Sequence, residues 1–311
     1  MKNNTWNKLL ELKKLPFGSV HCIKDQDLEQ EVSDIIVDVL QNDCMNDDEI
    51  HDKFTKEYKA WIMKTTANQV IGLEKFQGLA FSNGTTEAFD KFYLKNRNRR
   101  LRYFRGEYMY HSIAAKLYFD HSVCIEDEPI QENDVVIFSL PFAGTGNEHA
   151  MTDSVLKTCD ALKVPVLIDC CYFGVCGGID FDFSYECITD ITFSLSKNFP
   201  VQHLRIGMRL TKEDNDDALY VYNKNKYVNR LSAAVGLKLL QRYTADYNYQ
   251  KYRAVQEKFC EILKVEMSKC VFFATSTESF EEYNRGIKEN RLCFSKYLKS
   301  EILPQNTDDK S

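Results

Sequence analysis

Seven short apolar runs punctuate the stretch from residue 78 to residue 210: Gly78–Ser82, Leu101–Phe104, Ser122–Ile125, Val135–Leu140, Pro165–Asp169, Ile188–Ser194 and Leu204–Leu210. Each is too short for a stable helix, and the segments Val135-Val136-Ile137-Phe138 and Val166-Leu167-Ile168 show no polar alternation. A strand that is apolar on both faces must be covered on both faces. Helical patterns lie between the runs. A helix is expected to start near Thr86, and Met151, Val155, Leu156, Cys159 and Leu162 trace one helix face. The spacing predicts an α/β three-layer sandwich with a mainly parallel central sheet.

The rhythm differs at the two ends. Leu28, Val32, Ile35, Ile36, Val39 and Leu40 follow helical spacing, and the acidic stretch Gln41–Asp52 reads as a linker. After Thr211 the strands stop. A long helix carrying Leu231, Val235, Leu239 and Leu240 leads to strand-like segments at Cys270–Ala274 and Arg291–Phe294. We expect a large domain over residues 53–240. Segment 1–52 and residues 241–303 would form a small α+β domain, and residues 304–311 a flexible polar tail.

Composition narrows the function classes. No apolar run approaches the roughly 18–20 residues that span a bilayer, and the start Met1-Lys2-Asn3-Asn4 lacks the apolar core of a secretory signal. A net charge of -6 argues against nucleic-acid binding through bulk charge. The basic run Lys95, Arg97, Arg99, Arg100, Arg102 and Arg105 is the countersignal, with Phe92, Tyr93, Tyr103 and Phe104 as stacking company. In an acidic chain we read it as a solvated helix end and loop. The eleven cysteines include no Cys-x-x-Cys pair. They read as reduced, buried thiols in a cytoplasmic protein without a metal; zinc on Cys170, Cys171 and Cys176 is the alternative.

Four segments carry chemistry. Asn83-Gly84-Thr85-Thr86 lies at a strand-to-helix junction, where free N–H groups bind phosphate, though an ordinary capped turn fits as well. Val166-Leu167-Ile168-Asp169 puts a carboxylate at the end of a buried strand, with Tyr172 three residues on. That Asp suits a protonated heterocyclic nitrogen, or the cap of the next turn. Ser194-Leu195-Ser196-Lys197, followed after eight residues by Arg205, offers an amine nucleophile, hydroxyls and a permanent cation. Arg291 opens an apolar strand, where a guanidinium would suit a carboxylate or simply mark a sheet edge.

Taken in order from about Phe81 to Met208, these segments resemble the fold-type I pyridoxal-phosphate enzymes, particularly the class I/II aminotransferases. Ser194–Lys197 through Arg205-Ile206-Gly207 is similar to that family's lysine segment, and Asp169-Cys170-Cys171-Tyr172 to its Asp-x-x-Tyr element. Asn83–Ala88 is similar to its phosphate-binding turn. Pro141–Gly146 resembles its Asn-Pro-Thr-Gly loop, with Ala143 where the family has Asn, unless Asn147 substitutes. The chain is short for the family at both ends, and no tyrosine matches the one a partner subunit commonly offers to the phosphate.

The resemblance implies pyridoxal 5'-phosphate as cofactor. Lys197 would form its Schiff base and shuttle protons, Asp169 would face the ring nitrogen, and Tyr172 the ring hydroxyl. Gly84, Thr85, Thr86, Ser194 and Arg205 would hold the phosphate, and Tyr108, or Tyr110, would stack on the ring. Arg291 would bind the substrate carboxylate. The implied activity is amino-group transfer between an amino acid and a 2-oxo acid in a homodimer. A decarboxylase, lyase or cyclase on the same scaffold, or a non-catalytic binding protein, are the other readings.

Overall fold

The computed structural model describes residues 15–42, 46–213 and 217–299; the expected tail, residues 304–311, lies outside them. The first helices are α1 (Gln26–Gln41) and α2 (Ile50–Met63). Helix α1 buries Leu28, Val32, Ile35 and Val39, and the Asp25 side chain caps its first turn. Helix α2 begins inside the stretch expected to be a linker: Ile50, His51, Phe54, Tyr58 and Trp61 supply a buried face that the acidic residues before it obscure.

Strand β1 (Gln69–Ile71) pairs in parallel with β7 (Asp180–Asp182) in a separate ribbon. The main sheet comprises β2 (Gly78–Ser82), β3 (Arg100–Tyr103), β4 (Ser122–Cys124), β5 (Asp134–Ser139), β6 (Val166–Asp169), β8 (Ile188–Ser194) and β9 (Gly207–Thr211). Their order is β2-β9-β8-β6-β5-β3-β4. The ladders joining β4, β3, β5, β6 and β8 are parallel, and β9 is antiparallel to both its neighbours. Strand β9 begins at Gly207 rather than at Leu204, because Val201–Leu204 forms a turn and Arg205 has φ 56°.

Strict alternation along the central strands separates two cores. Leu101, Val135, Ile137 and Leu167 pack with Phe89, Phe92 and Tyr93 of α3 (Thr85–Asn96) and Ala114 and Ala115 of α4 (Met109–Tyr118). The intervening Val136, Phe138, Val166 and Ile168 join the larger cluster. That cluster takes in Val155, Leu156 and Cys159 of α5 (Thr152–Leu162) and the apolar residues of α1 and α2. A continuous apolar strand thus buries both faces, and the layers are helix, sheet, helix. Beyond β9 come α6 (Ala218–Lys224), α7 (Arg230–Arg242) and α8 (Tyr247–Leu263). A small antiparallel sheet follows, β10 (Glu266–Met267), β11 (Phe273–Ser276) and β12 (Asn290–Cys293).

The basic run is only partly the solvated helix end and loop expected: Lys95, Arg97 and Arg105 are exposed, but Arg102 is drawn inside. Arg102 is fully buried, donating to Asp134 at 2.6 Å, and Arg100 bonds the other oxygen of Asp134 at 2.7 Å and Glu128 at 2.6 Å. Arg105 pairs with Asp127 at 2.5 Å. Acids from β5 and from the loop before it neutralise these arginines, and no local sequence pattern announces that.

Candidate active site

The parallel strands deliver their C-terminal ends to one edge of the sheet, where ligands bind in open α/β folds. Asp169 ends β6, Ser194 ends β8 with Lys197 just after it, and Tyr108 and Ala143 lie in the segments following β3 and β5. Because β9 runs the other way, its first residue comes to that edge. Ser82, Gly207 and Ser194 form one row across β2, β9 and β8, so Arg205 stands beside the junction of β2 and α3. A cavity of about 400 Å³ opens there, within the size range of small-molecule pockets. Thr85, Thr86, Tyr108, Asp169, Tyr172, Ser194, Lys197, Arg205 and Arg291 all line it.

One end of the cavity is built for an anion. The Arg205 Nη2 donates to Thr86 Oγ1 at 3.2 Å, beside the first turn of α3, whose N–H groups have no side-chain cap. Gly84 has φ 80°, and a Cβ there would lie 2.3 Å from Arg205 Nη2. A Cβ on Gly207 would lie 2.8 Å from Gly84 Cα. Both positions need glycine for the backbone and the guanidinium to approach. The Ser194 hydroxyl is committed to the fold, donating to Ile206 O at 3.1 Å and accepting from Ser196 N at 3.1 Å. The neighbouring Ser196 Oγ is buried without a partner and lines the cavity, so the two serines of the segment divide their roles.

The floor carries an acid. Asp169 is 2 % exposed and accepts from Thr192 Oγ1 at 3.1 Å. Burial pushes its carboxyl up to about 7, against the lowering effect of Thr192 and Cys171. A buried carboxyl in this condition is matched to a cationic or N–H partner that would restore its charge. Burial also pushes the Tyr172 phenol up. The amine of Lys197 makes no hydrogen bond or ion pair among the described residues. Tyr108, 44 % exposed, stacks nearly parallel on Tyr110 at 6.0 Å. The Tyr110 hydroxyl is spent on Asp90 at 2.6 Å, and it is Tyr108 of the two that lines the cavity.

The other end holds two arginines. Arg291 Nη1 donates to Ala143 O at 2.5 Å, its guanidinium lies 4.5 Å from the Phe273 ring centre, and its buried Nε has no partner. Arg285, which sequence patterns did not single out, donates to Gly106 O at 3.1 Å and Glu107 O at 2.8 Å. Burial and then the like charge of Arg291 lower its pKa. Gly18, Ser19 and Val20 also line the cavity. They are brought there by Phe17, whose N–H donates to the Tyr283 hydroxyl at 3.2 Å and whose carbonyl accepts from Cys293 N at 2.8 Å. Asn147 does not replace the missing loop asparagine. Its Oδ1 accepts from Lys269 N at 2.8 Å, and it lines a different cavity.

The site fits a ligand with an aldehyde, a ring nitrogen and a phosphate: a free amine, a buried acid with raised pKa and an anion cradle face one cavity, and Ser196 Oγ there lacks a partner. No protein-family profile and no curated protein matches the sequence. Solved structures do match. An aminotransferase from Staphylococcus aureus is 12% identical, with 90% of each chain covered and a TM-score of 0.66. The aromatic aminotransferase from Pyrococcus horikoshii is 12% identical, with 95% of each chain covered and a TM-score of 0.65. A C-S lyase from Staphylococcus hominis, itself solved with pyridoxal phosphate bound, is 13% identical, covering 96% of this chain and 81% of that one at a TM-score of 0.61. The chain therefore has the fold of the fold-type I aminotransferases.

Proposed function

We propose that the protein is a pyridoxal 5'-phosphate-dependent aminotransferase acting on an amino acid and a 2-oxo acid. The observation that carries this is the convergence of Lys197, Asp169 and the Arg205–Thr86 cradle on one cavity that also holds Arg285 and Arg291. Gly84, Thr85, Thr86, Ser196 and Arg205 would hold the phosphate, with Ser194 fixing the turn that presents Ser196. Asp169 would face the ring nitrogen, Tyr172 the ring hydroxyl and Tyr108 the ring face. When bound, the cofactor supplies an aldehyde carbon and a conjugated ring that accepts the electron pair released at the substrate's α-carbon.

The chain's own groups do the rest. Lys197 would hold the cofactor's aldehyde carbon through its free amine, and its Nζ would be the base that takes the substrate's α-proton. Asp169 would keep a proton on the ring nitrogen by charge pairing at the buried floor of the cavity. Arg291, with Nε unsatisfied, orients the α-carboxylate, and Arg285 adds a second cation at the same end. Asn147 is elsewhere and Ala143 has no polar side chain, so the ring oxygen relies on Tyr172 for its side-chain contact.

A visible spectrum of the protein with added pyridoxal phosphate, before and after borohydride, tests the cofactor. Wild type is expected to fix the chromophore and Lys197→Ala to lose it on dialysis; a colourless wild type would refute the assignment. Product analysis across amino acids, with and without an oxo acid, separates transfer from the lyase or decarboxylase reading. Turnover that needs no amine acceptor would replace the first with the second.

A homodimer is supported by an exposed apolar stripe on α4, Met109, Ile113 and Leu117 at 64, 50 and 76 % exposure, running away from the cavity wall. Leu117→Glu is expected to shift the sedimentation coefficient toward the monomer. Among the described residues no helix is long and apolar enough to cross a membrane, and the ten described cysteines are free. The free thiols support a cytoplasmic location.

A further inference from the structure

A second cavity, of about 450 Å³, lies beside the first: Phe142 lines it, while the next residue, Ala143, lines the other. Its lining contains no lysine or arginine, and Glu148, Glu266 and Glu289 are acidic. Glu148 is satisfied by Lys269, but Glu266 and Glu289 make no ion pair among the described residues. His149 is turned to other partners: its Nδ1 accepts from Met151 N at 3.2 Å, its Nε2 lies 3.7 Å from Glu126, and burial lowers its pKa against the raising effect of Glu126 and Glu289.

Thr275 supplies an independent sign. It is 8 % exposed and faces this cavity, yet its hydroxyl has no hydrogen-bond partner among the described residues. Phe142 and Ile287 give the cavity apolar walls. Among the described residues no three acidic, imidazole or thiol groups converge closely enough to hold a metal ion. Unpaired carboxylates, a hydroxyl and apolar walls, without a chelating cluster, match an organic cation.

Two elements tie this cavity to the first. Glu266, Thr275 and Arg291 are direct cross-strand partners, a single row in which the first two line the second cavity and the third the first cavity. The tight loop from Asn284 to Asn290 carries Arg285 into the first cavity and Ile287 and Glu289 into the second. It is closed by Asn284 Nδ2, which donates to Ile287 O and to Asn290 Oδ1, both at 2.8 Å. A ligand that pulls on Glu289 therefore acts on a short, hydrogen-bonded loop whose other side positions Arg285.

We propose that the second cavity binds a small organic amine, its ammonium received by Glu289, Glu266 and the Thr275 hydroxyl and its carbon chain by Phe142 and Ile287, and that occupancy is transmitted to Arg285 through the loop. The binding is independent of the aminotransferase reading; the transmission rests on it, through the assignment of Arg285 to an anionic substrate group.

The probe is 1,4-diaminobutane, titrated calorimetrically into the full chain at low salt, with 1,4-butanediol as the neutral isostere. Saturable binding is expected for the diamine alone, weakened about tenfold or more by Glu289→Gln and about threefold by Thr275→Val, as lost charge-assisted hydrogen bonds would give. Thermal melting confirms that both variants fold, and Glu266→Gln serves in place of either one that does not. Equal affinity in wild type and Glu289→Gln, equal binding of the diol, or no saturation would overturn the site. Succinate affinity, measured with and without saturating diamine, reads the transmission: linkage requires it to change, and an unchanged Kd would leave the site but remove the coupling. Failure of the pyridoxal-phosphate spectrum would not affect the diamine titration.

Discussion

Asp169→Asn is expected to stabilise the cofactor-free protein while abolishing retention of the cofactor. Burial raises the Asp169 carboxyl from 3.8 to about 7. The folded state then holds this proton more tightly than the unfolded chain, so stability falls as pH rises from about 4 and levels off above about 7. The full penalty at pH 8 is about 4 kcal/mol, and roughly 2–3 kcal/mol of it accrues between pH 5 and pH 8. Asparagine keeps an acceptor for Thr192 but has no charge to desolvate. Urea unfolding of wild type and Asp169→Asn at several pH values reads the difference directly. Glu107 and Asp190, whose carboxyls burial also raises, contribute the same slope to both proteins and largely cancel. Wild type and variant are expected to converge near pH 4, with the variant more stable by an increasing margin toward pH 8. A margin that does not change with pH would show that Asp169 is not a desolvated carboxyl, and the argument for a cationic partner would fail. With pyridoxal phosphate added the order is expected to reverse, because a bound cation compensates the aspartate and not the asparagine.

Three further outcomes are expected. Gly84→Ala places a methyl against the Arg205 guanidinium at a left-handed backbone position; it should weaken pyridoxal-phosphate binding by about tenfold or more, as seen in an absorbance titration. Arg291→Gln should leave the cofactor spectrum intact and raise the KM for amino acids with a smaller change in kcat; equal losses in retention of cofactor would place Arg291 at the wrong end of the cavity. Asp134→Ala leaves the fully buried Arg102 without its acid and should cost about 3–5 kcal/mol in urea unfolding, whereas a solvated arginine would cost less than about 1 kcal/mol.

Sequence alone determined the parts governed by local pattern. Doubly apolar runs such as Val135–Phe138 must lie inside a covered sheet whatever else the chain does, and a polar residue closing such a run stands at the sheet's edge. The placement of Asp169, Lys197 and Gly84 at that edge was legible for that reason: Asp169 ends a buried strand, and Gly84 and Lys197 closely follow one. Tertiary structure decided what depends on distant segments meeting. The reversed strand β9 brings Arg205 to Thr86, the Phe17 anchor draws Gly18–Val20 over the site, and the Asn284–Asn290 loop inserts Arg285 where no local pattern pointed. Burial does the same for charge. Arg102 reads as a surface cation until Asp134 comes across from β5, and Asp169 reads as an ordinary acid until the sheet removes its water. Periodicity encodes which face of an element is apolar; it carries no information about which distant residue will lie against that face, and that pairing sets the electrostatics of the site.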